Sequence, residues 1–528
     1  MKRINAKYIC FLLLTTLALL ALAACDNEDA INGNASEQNV EADYIAQPYE
    51  EDDFVFIPVE PDPDSALYEL LSIAHLRREG VIKPDYNEII EAFRDRAPGT
   101  IPLGLREQRQ SATVSAAEAI EDISTFFEVI RNFYVGYIHF GGDEVFLPIR
   151  DAALAEVHDR GGEFTSGDLG EIIRRHVSTA IVDAHFLIGS GTFGIDVLIS
   201  RITVLYYYRT GDSFVNRETG LNLVSIAGHD IEQVMRLYTN DAGDVFYRPL
   251  FEADVVFIDP IDFTYSDGSV ISRQFEMYRV PRPSAPSSPR LSYRYGIPIV
   301  NVSQFGFDGH ENALNRDQAL AFLSFAHELR SEPALIVDLR NNFGGNGLLP
   351  IRWLKILTGE VVPTNYVTLL WPQNYVIEDD MIDMIDFDYN PFANPPGAYE
   401  YYWGVEFHND GLNVAGTHPD RIIENERVII FLTNRNTASA GESFVDLTIN
   451  MSNTLVIGSS TRGILAFGGA ALPLFLPNSG LMFGFGETMH TWPEGHFAEG
   501  YGIRPDVWVE GDALAAALAL LRDAGFGY

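Results

Sequence analysis

From Ser292 to the C-terminus, short apolar runs alternate with a run of helical periodicity, and this alternation constrains the fold more than any other feature. The runs IPIVNVSQF, PALIVDLR and RVIIFLTN are predicted to be strands, whereas RDQALAFLSFAHELR repeats its apolar residues at helical spacing. Strands that alternate with helices predict a sheet with parallel connections and helices on its faces. We therefore predict an α/β core over residues 291–528, with an insertion near 375–425 where Asp, Tyr, Asn and Pro interrupt the pattern.

Two further regions precede this core. Residues 65–185 carry apolar residues at helical spacing, as in EAIEDISTFFEVIRNFY, and predict a helical N-terminal region. Residues 186–290 change to short β-branched and aromatic runs, which predict a small β-rich module. Within it, GLNLVSIAGHDIEQVM resembles the later part of a PDZ domain, but no clear carboxylate-binding loop precedes it, so a PDZ domain and another β-rich module both stay open. The predicted fold class is a mixed α/β (α+β multidomain) chain.

The N-terminus has the features of a secretory signal: a basic end, an apolar run too short for a comfortable membrane span, and then small residues. The sequence Leu22-Ala23-Ala24-Cys25 resembles the lipobox of bacterial lipoproteins, which implies cleavage after residue 24 and lipid on Cys25. Several acyl chains would hold the protein stably on a membrane where one would not. An uncleaved anchor is the alternative, and both place the bulk of the chain outside the cytoplasm.

Residues 25–64 are predicted to be an acidic tether, because Asp26 to Asp64 contains many Asp and Glu and no Lys or Arg. The formal net charge of the whole chain is -38, which repels nucleic acid, so no nucleic-acid partner is expected. Of the two cysteines, Cys10 lies in the signal and Cys25 would carry lipid. The mature chain therefore has no thiol for a disulfide, a metal site or a cysteine nucleophile.

Three motifs in the predicted core indicate a catalytic site only when they are taken together. In VDLRNNFGGNG, residues 337–347, a strand ends in polar residues and glycines whose N–H groups could bind an oxyanion. An ordinary glycine turn after a strand has the same sequence pattern. In TASAGE, residues 437–442, Ser439 follows a buried strand, where a serine is more often a helix N-cap than a nucleophile. The third motif, GYGIRPDVWVEGDAL, alone predicts only a turn and a strand.

Together and in this order, the motifs resemble the serine peptidase family that contains the C-terminal processing (tail-specific) peptidases and the tricorn core peptidase. The family pattern DLRxNxGG, Ser-Ala-Ser/Gly-Glu, VxGxxTxG and GVxPD is matched here by Asp338 to Gly345, Ser439 to Glu442, Val456 to Gly463, and Gly502 to Asp506. The resemblance implies a core of the ClpP/crotonase-like type with Ser439 as nucleophile. It also implies that the N–H of Ala440, with that of Gly344 or Gly345, forms an oxyanion hole.

A serine hydroxyl needs a base to take its proton. The processing peptidases use a lysine in TxGKG, but Ile464 stands at that position and no lysine follows Ser439. The tricorn branch uses a histidine in an Asp-x-His context and a glutamate just before GVxPD, which His185 and Glu499 match. The serine that precedes the tricorn histidine is replaced by Ala184.

Other interpretations of these two residues stay open. His185 lies in a largely apolar segment, where a histidine is more often a core residue bonded to the backbone. Glu487 and Glu494 are close to Glu499 in sequence and could face the same cleft. Glu442, one turn into the helix after the nucleophile, is predicted to act as a first-turn acidic residue that is favourable to the helix dipole.

The sequence therefore predicts an extracytoplasmic, membrane-tethered serine peptidase that hydrolyses peptide bonds through an acyl-enzyme on Ser439, with His185 as general base. A peptide or protein substrate, and a membrane reached through lipid on Cys25, are the expected partners. No HExxH motif or ligand-spaced cluster occurs, so no metal or cofactor is expected. The alternative is a catalytically inactive relative that binds peptide or another ligand at the cell surface.

Overall fold

The computed structural model describes residues 62–79, 103–105, 107–194, 198–202, 205–253, 260–277, 289–305, 313–370, 405–407, 413–415, 422–468, 473–486, 488–493 and 495–527. The α-helices of these segments are α1 Ala66–Glu79, α2 Ala116–Phe133, α3 Gly136–His139, α4 Gly142–Arg160, α5 Ser166–Val177, α6 Ile231–Val234, α7 Ala313–Glu328, α8 Leu348–Thr358, α9 Ala440–Ile449 and α10 Ala513–Asp523. Short 3₁₀ turns occupy Leu103–Leu105 and Leu329–Ser331.

The strands of the first half are β1 Val114–Ser115, β2 Glu163–Phe164, β3 Asp183–Ile188, β4 Gly191–Phe193, β5 Leu198–Ile202, β6 Tyr207–Thr210, β7 Ser213–Asn216, β8 Leu223–Ile226, β9 Met235–Asn240, β10 Val245–Ala253, β11 Ile261–Tyr265, β12 Val270–Arg273 and β13 Phe275–Met277. Those of the second half are β14 Arg290–Arg294, β15 Ile297–Asn301, β16 Ala334–Asp338, β17 Val367–Leu370, β18 Val405–Phe407, β19 Asn413–Ala415, β20 Val428–Thr433, β21 Thr454–Gly458, β22 Phe467–Gly468, β23 Leu474–Phe475, β24 Met482–Gly484, β25 Thr488–Thr491 and β26 Val507–Glu510.

The main sheet of the described residues has twelve strands, with the order β13-β5-β10-β9-β26-β21-β20-β16-β15-β14; in addition, β6 pairs with β10, and β7 pairs with β6. Its central pairs, from β15 through β16, β20, β21 and β26 to β9, are all parallel. The carboxyl ends of β16 and β20 therefore meet at one edge, where the first two sequence motifs begin. This shared edge brings the glycine loop after β16 to the serine turn after β20.

The strand β20 shows why the core has helices on both sides of the sheet. Its residues are all buried, and they alternate between two clusters: Ile429 and Phe431 pack with α7, α8 and α9, whereas Ile430 and Leu432 pack with α1 and α10. Successive side chains of a strand point to opposite faces, so a continuous apolar run is what a sheet covered on both faces requires. The predicted α/β core thus has a helix–sheet–helix layering.

The helical region builds a separate hydrophobic cluster with chain from the far end of the sequence. Helices α2, α4 and α5 bury residues such as Phe126 and Phe146 together with Phe467 and Phe483. The strand β3 joins this contact, because it pairs with β24 in a four-stranded sheet of β23, β24, β3 and β4. As a result, the strand that carries His185 is fixed against the C-terminal part of the chain.

The predicted β-rich module contains β8, β11 and β12 in a three-stranded sheet, with their own cluster of buried side chains. Its strand β9 pairs with β26 of the core, so hydrogen bonding runs across the predicted boundary at residue 290. A further sheet of β18, β19, β17, β25 and β22 flanks the core.

The predicted fold class is confirmed: the chain has mixed α/β structure, with a layered α/β core after residue 291. The other boundaries, the PDZ-like identity of residues 186–290 and the insertion near 375–425 stay predictions, and most of that insertion lies outside the described residues. The predicted signal peptide, Cys25 and nearly all of the tether also lie outside them. Within the described ranges, no helix is both long and apolar enough to span a membrane.

Candidate active site

Ser439 occupies a strained turn between the buried strand β20 and helix α9. Its backbone has φ 50° and ψ -120°, a conformation that non-glycine residues rarely adopt and that costs about 1–3 kcal/mol. Such strain persists only where the surrounding structure fixes it, and a sharp strand-to-helix turn is one way to expose a serine hydroxyl beside a helix N-terminus. As the sequence predicted, Ser439 lies between a buried strand and a helix, and the turn that joins them is strained at the serine itself.

The glycine loop after β16 packs directly against this turn. Gly344 has φ 92°, and a Cβ atom built on it would lie 2.7 Å from both the Ala438 carbonyl oxygen and the Ser439 Cβ. The Ala438 N–H donates to the Asn342 carbonyl oxygen at 2.8 Å. Only glycine fits at position 344, because any side chain there would displace the turn that carries the serine.

Two backbone N–H groups beside Ser439 are without an acceptor among the described residues: those of Gly345 and Ala440. The N–H of Gly344, by contrast, already donates to the Asn342 Oδ1 at 2.9 Å. Of the three residues that the sequence proposed for an oxyanion hole, Gly345 and Ala440 therefore have donors to offer. The assignment of these roles stays a prediction.

Glu442 binds the serine turn to the segment that follows β21. Its side chain is fully buried, and its carboxyl oxygens accept from the Ser439 N–H at 2.9 Å, the Thr461 hydroxyl at 2.6 Å, the Gly463 N–H at 2.7 Å and the Ile464 N–H at 3.0 Å. Burial raises the pKa of Glu442, while these four donors act in the opposite direction. The first-turn position of Glu442 was evident from the sequence, but these contacts with residues 461–464 were not.

Glu499 makes the equivalent connection to the strand of His185. Its Oε1 accepts from the Ala184 N–H at 3.2 Å, and its Oε2 accepts from the Ala466 N–H at 3.0 Å. Burial, and next the charge of Asp183, raise the pKa of Glu499 well above its ordinary value. Glu499 therefore lies beside the residue that precedes His185, whereas Glu487 and Glu494 fall outside the described residues.

His185 has a side chain with an unused hydrogen-bonding atom. Its Nδ1 is buried and has no hydrogen-bond partner, and burial lowers the pKa of the imidazole. No direct hydrogen bond between His185 and Ser439 is found in the described structure. Glu442 and Glu499 link the two through the chain between Ile464 and Ala466, to which both carboxyl groups are bonded.

Two more residues near His185 were given no role by sequence reasoning. Asp183 is fully buried and accepts the His185 N–H at 2.7 Å and the Tyr134 hydroxyl at 2.9 Å, and burial raises the pKa of Asp183 to about 7. His490 shares a 2.7 Å hydrogen bond with Thr368, and burial, with a further contribution from His185, lowers the pKa of His490 to about 3. The Asp-x-His spacing was visible in the sequence, but nothing in it pointed to His490.

The site combines a strained serine beside a helix N-terminus, two unused N–H donors, a histidine and a carboxyl group. Serine hydrolases use sites of this kind. Among the described residues, no group of three or more His, Cys, Asp or Glu side chains is arranged to hold a metal ion.

The comparison with protein-family models agrees with this class. Residues 297–509 match the model of peptidase family S41. Among solved structures, the chain is similar to mature CPAF complexed with lactacystin, at 15% identity and TM-score 0.38, over 74% of this chain and 94% of that one. It is also similar to the photosystem II D1 C-terminal processing protease, at 13% identity and TM-score 0.35, over 78% and 97% of the two chains. The chain is similar as well to the tricorn protease, at 15% identity and TM-score 0.29, over 76% of this chain and 35% of that one. No curated protein sequence matches the chain.

The matched part of the chain is thus a peptidase family S41 domain, and the protein is a serine-type peptidase, as the sequence predicted. The resemblance to the tricorn branch in particular stays a prediction.

Proposed function

We propose that the chain hydrolyses peptide bonds through an acyl-enzyme on Ser439. The observation that carries this proposal is the strained serine turn, which has the unused N–H group of Ala440 next to Ser439 and that of Gly345 in the glycine loop packed against it. When the serine oxygen attacks a peptide carbonyl, negative charge develops on the carbonyl oxygen. Two fixed N–H donors stabilise that charge in the transition state, and removal of one such donor typically costs about 10²–10³ in rate.

His185 acts as the general base in this proposal. It takes the hydroxyl proton of Ser439 during attack and returns it to the leaving amine, and a water molecule then hydrolyses the acyl-enzyme by the same route. Burial lowers the pKa of His185, so the imidazole is neutral and able to accept a proton at neutral pH. Its unpartnered Nδ1 shows that one ring nitrogen is not committed elsewhere in the described structure.

Glu499 and Asp183 support the charged form of His185. The charge of Asp183 raises the pKa of Glu499, which means that two carboxylates in this place repel each other. A positive charge on the imidazole would offset that repulsion at the moment when His185 takes the proton. Glu499 is thus a positioning and electrostatic residue, while Ala184 leaves the position of the tricorn-type serine without a hydroxyl.

The proposed location is the outer side of a bacterial cell membrane, with lipid on Cys25 and residues 25–64 as a tether. Sequence alone supports this part: the lipobox-like Leu22 to Cys25 and an acidic segment without Lys or Arg. Metabolic labelling with a radioactive fatty acid would test it, because the parent should take up label and Cys25→Ala should not.

Labelling with a fluorophosphonate, mapped to a residue, tests the proposed chemistry. The label should be found on Ser439 and be lost in Ser439→Ala, because only a hydroxyl beside an oxyanion hole is activated above the other serines. Ser443, which is four residues further along α9 and whose hydroxyl is bonded to Tyr366 at 2.6 Å, offers a matched control: Ser443→Ala should still be labelled. Absence of label in folded protein would favour the inactive, ligand-binding alternative.

A further inference from the structure

A pocket of about 700 Å³ lies where the β-rich module meets the main sheet. Its lining comes from the end of α1, from α6 and β9, and from the residues that lead into β26. It shares no lining residue with the candidate active site. Small-molecule sites commonly have volumes of about 300–1,000 Å³, so this pocket is large enough for a ligand of its own.

Three arginines of this pocket have most of their donors unused. Arg77 donates to the Asp506 carbonyl oxygen at 3.1 Å, Arg236 donates to the carbonyl oxygen of the preceding residue at 3.2 Å, and Arg504 donates to Glu252 at 2.6 Å. A guanidinium group carries five N–H donors, and each of these side chains uses one of them in the described structure. Most of the N–H bonds on these three side chains thus have no protein acceptor among the described residues.

Arg236 is the least exposed of the three arginines. Its Nε is buried and has no hydrogen-bond partner, which costs about 1–3 kcal/mol for a polar group and more for a charged one. Burial, and next the positive charge of Arg504, lower the pKa of Arg236; the charge of Glu252 acts in the opposite direction, and Arg77 lowers the pKa further. Arg236 is therefore close enough to both of the other cations to be repelled by them.

The carboxylates of this pocket do not neutralise all of its cations. Glu232 pairs with Arg209 at 3.1 Å, Glu252 with Arg504 at 2.6 Å and Asp506 with Arg78 at 2.8 Å. Arg77 and Arg236 form no ion pair among the described residues, although Glu252, whose Oε1 is buried without a hydrogen-bond partner, raises the pKa of Arg236. In a chain with a formal net charge of -38, such a local excess of positive charge is unexpected unless an anion occupies it.

We propose that this pocket binds a small multivalent oxyanion through Arg77, Arg236 and Arg504. The planar guanidinium group presents paired N–H donors that match the oxygens of phosphate and carboxylate groups. A phosphoryl group, or the adjacent carboxylates of one small molecule, would supply both the acceptors that these donors lack and the negative charge that offsets their repulsion. This inference goes beyond peptide hydrolysis and does not depend on Ser439.

Isothermal titration calorimetry of the full-length protein tests the proposal, with inorganic phosphate and citrate as probes and with sodium chloride at matched ionic strength as the blank. We expect saturable binding at one site. Arg236→Gln and Arg77→Gln should each weaken binding about tenfold or more, because each removes a charge-assisted hydrogen bond. The matched control is Arg150→Gln, since Arg150 lies on α4 beside Asp151 and does not line the pocket, and it should leave the Kd unchanged.

The two probes also distinguish the two sources of the oxyanion. Tighter binding of phosphate would identify a phosphoryl ligand, and tighter binding of citrate would identify a polycarboxylate; both results support the proposal. No saturable binding of either probe would overturn it, and so would equal affinities in the parent, Arg77→Gln and Arg150→Gln. Because Arg77 is exposed at a helix end, Arg77→Gln decides the question even if Arg236→Gln does not fold.

Discussion

Replacing Gly344 by alanine should disable the serine turn while every proposed catalytic side chain keeps its identity. The new methyl group would lie 2.7 Å from the Ser439 Cβ and from the Ala438 carbonyl oxygen, and 2.9 Å from the Ala440 nitrogen. Contacts under 3.0 Å between such atoms are not tolerated, so one of the two loops must move. Because the Ala440 N–H is a proposed oxyanion donor, the same movement would disturb the donor and the nucleophile together.

The expected magnitude has two parts. A positive φ costs alanine about 1–2 kcal/mol relative to glycine, and forcing a methyl group into a close-packed place costs typically about 1–3 kcal/mol more. The free energy of unfolding of Gly344→Ala should thus fall by about 2–5 kcal/mol. A displacement near 1 Å at a reacting group can lower a rate by about 10²-fold, so the rate of fluorophosphonate labelling should fall at least tenfold.

Gly359→Ala is the matched control, since Gly359 has φ 82° but no atom within 4 Å of the place that a methyl group on it would occupy. It carries the backbone cost without the steric clash, so it should lose about 1–2 kcal/mol of stability and be labelled at the parent rate. Urea denaturation and the time course of labelling, measured on all three proteins, separate the two effects. If Gly344→Ala is labelled as fast as the parent, the close packing of the glycine loop on the serine turn does not serve catalysis.

Three further predictions concern residues around the site. Ile464→Lys should leave kcat/KM for an unstructured peptide unimproved, because His185 is the proposed base and a new half-buried ammonium is costly; a clear gain in rate would show a site that uses lysine. Glu442→Gln should lower the free energy of unfolding by about 2 kcal/mol or more in urea denaturation, because the amide NH₂ would face N–H donors that now bind a carboxyl oxygen; unchanged stability would contradict the buried four-donor contact. The pKa of Asp183 is about 7 in the folded state and near 4 in the unfolded state, so the free energy of unfolding of the parent should fall as pH rises from about 4 to 7. Asp183→Asn should remove up to about 4 kcal/mol of that fall. The same dependence of stability on pH in both proteins would refute this origin.

The sequence could predict local structure around Ser439 because the signals are local. A continuous apolar run followed by small polar residues indicates a buried strand that ends in a turn, and the structure has β20 followed by α9 at this place. The positive φ of Ser439 could not be predicted, because no local pattern encodes it, and the glycine loop that packs against this turn lies nearly a hundred residues earlier. The parallel pairing of β16 with β20 creates that contact.

Glu442 and β9 show two other limits of sequence reasoning. Glu442 had the expected place in the first helical turn, but its donors at Thr461, Gly463 and Ile464 depend on how the segment after β21 folds back. The strand β9 was predicted as part of a separate module, because short β-branched runs do not reveal which sheet they join. Its pairing with β26 is a long-range contact that no local pattern encodes.

The proposed partnership of Ser439 and His185 is best tested by kcat/KM against pH for the parent, Ser439→Ala, His185→Ala and the double variant on an unstructured peptide. If the two residues act as one unit, each single change should lower the rate by several orders of magnitude, and the double change should cost little more than either. Parent activity should rise with pH through a midpoint below the ordinary histidine pKa, because burial lowers the pKa of His185. Near-normal activity of His185→Ala would contradict this mechanism even if Ser439 proved essential.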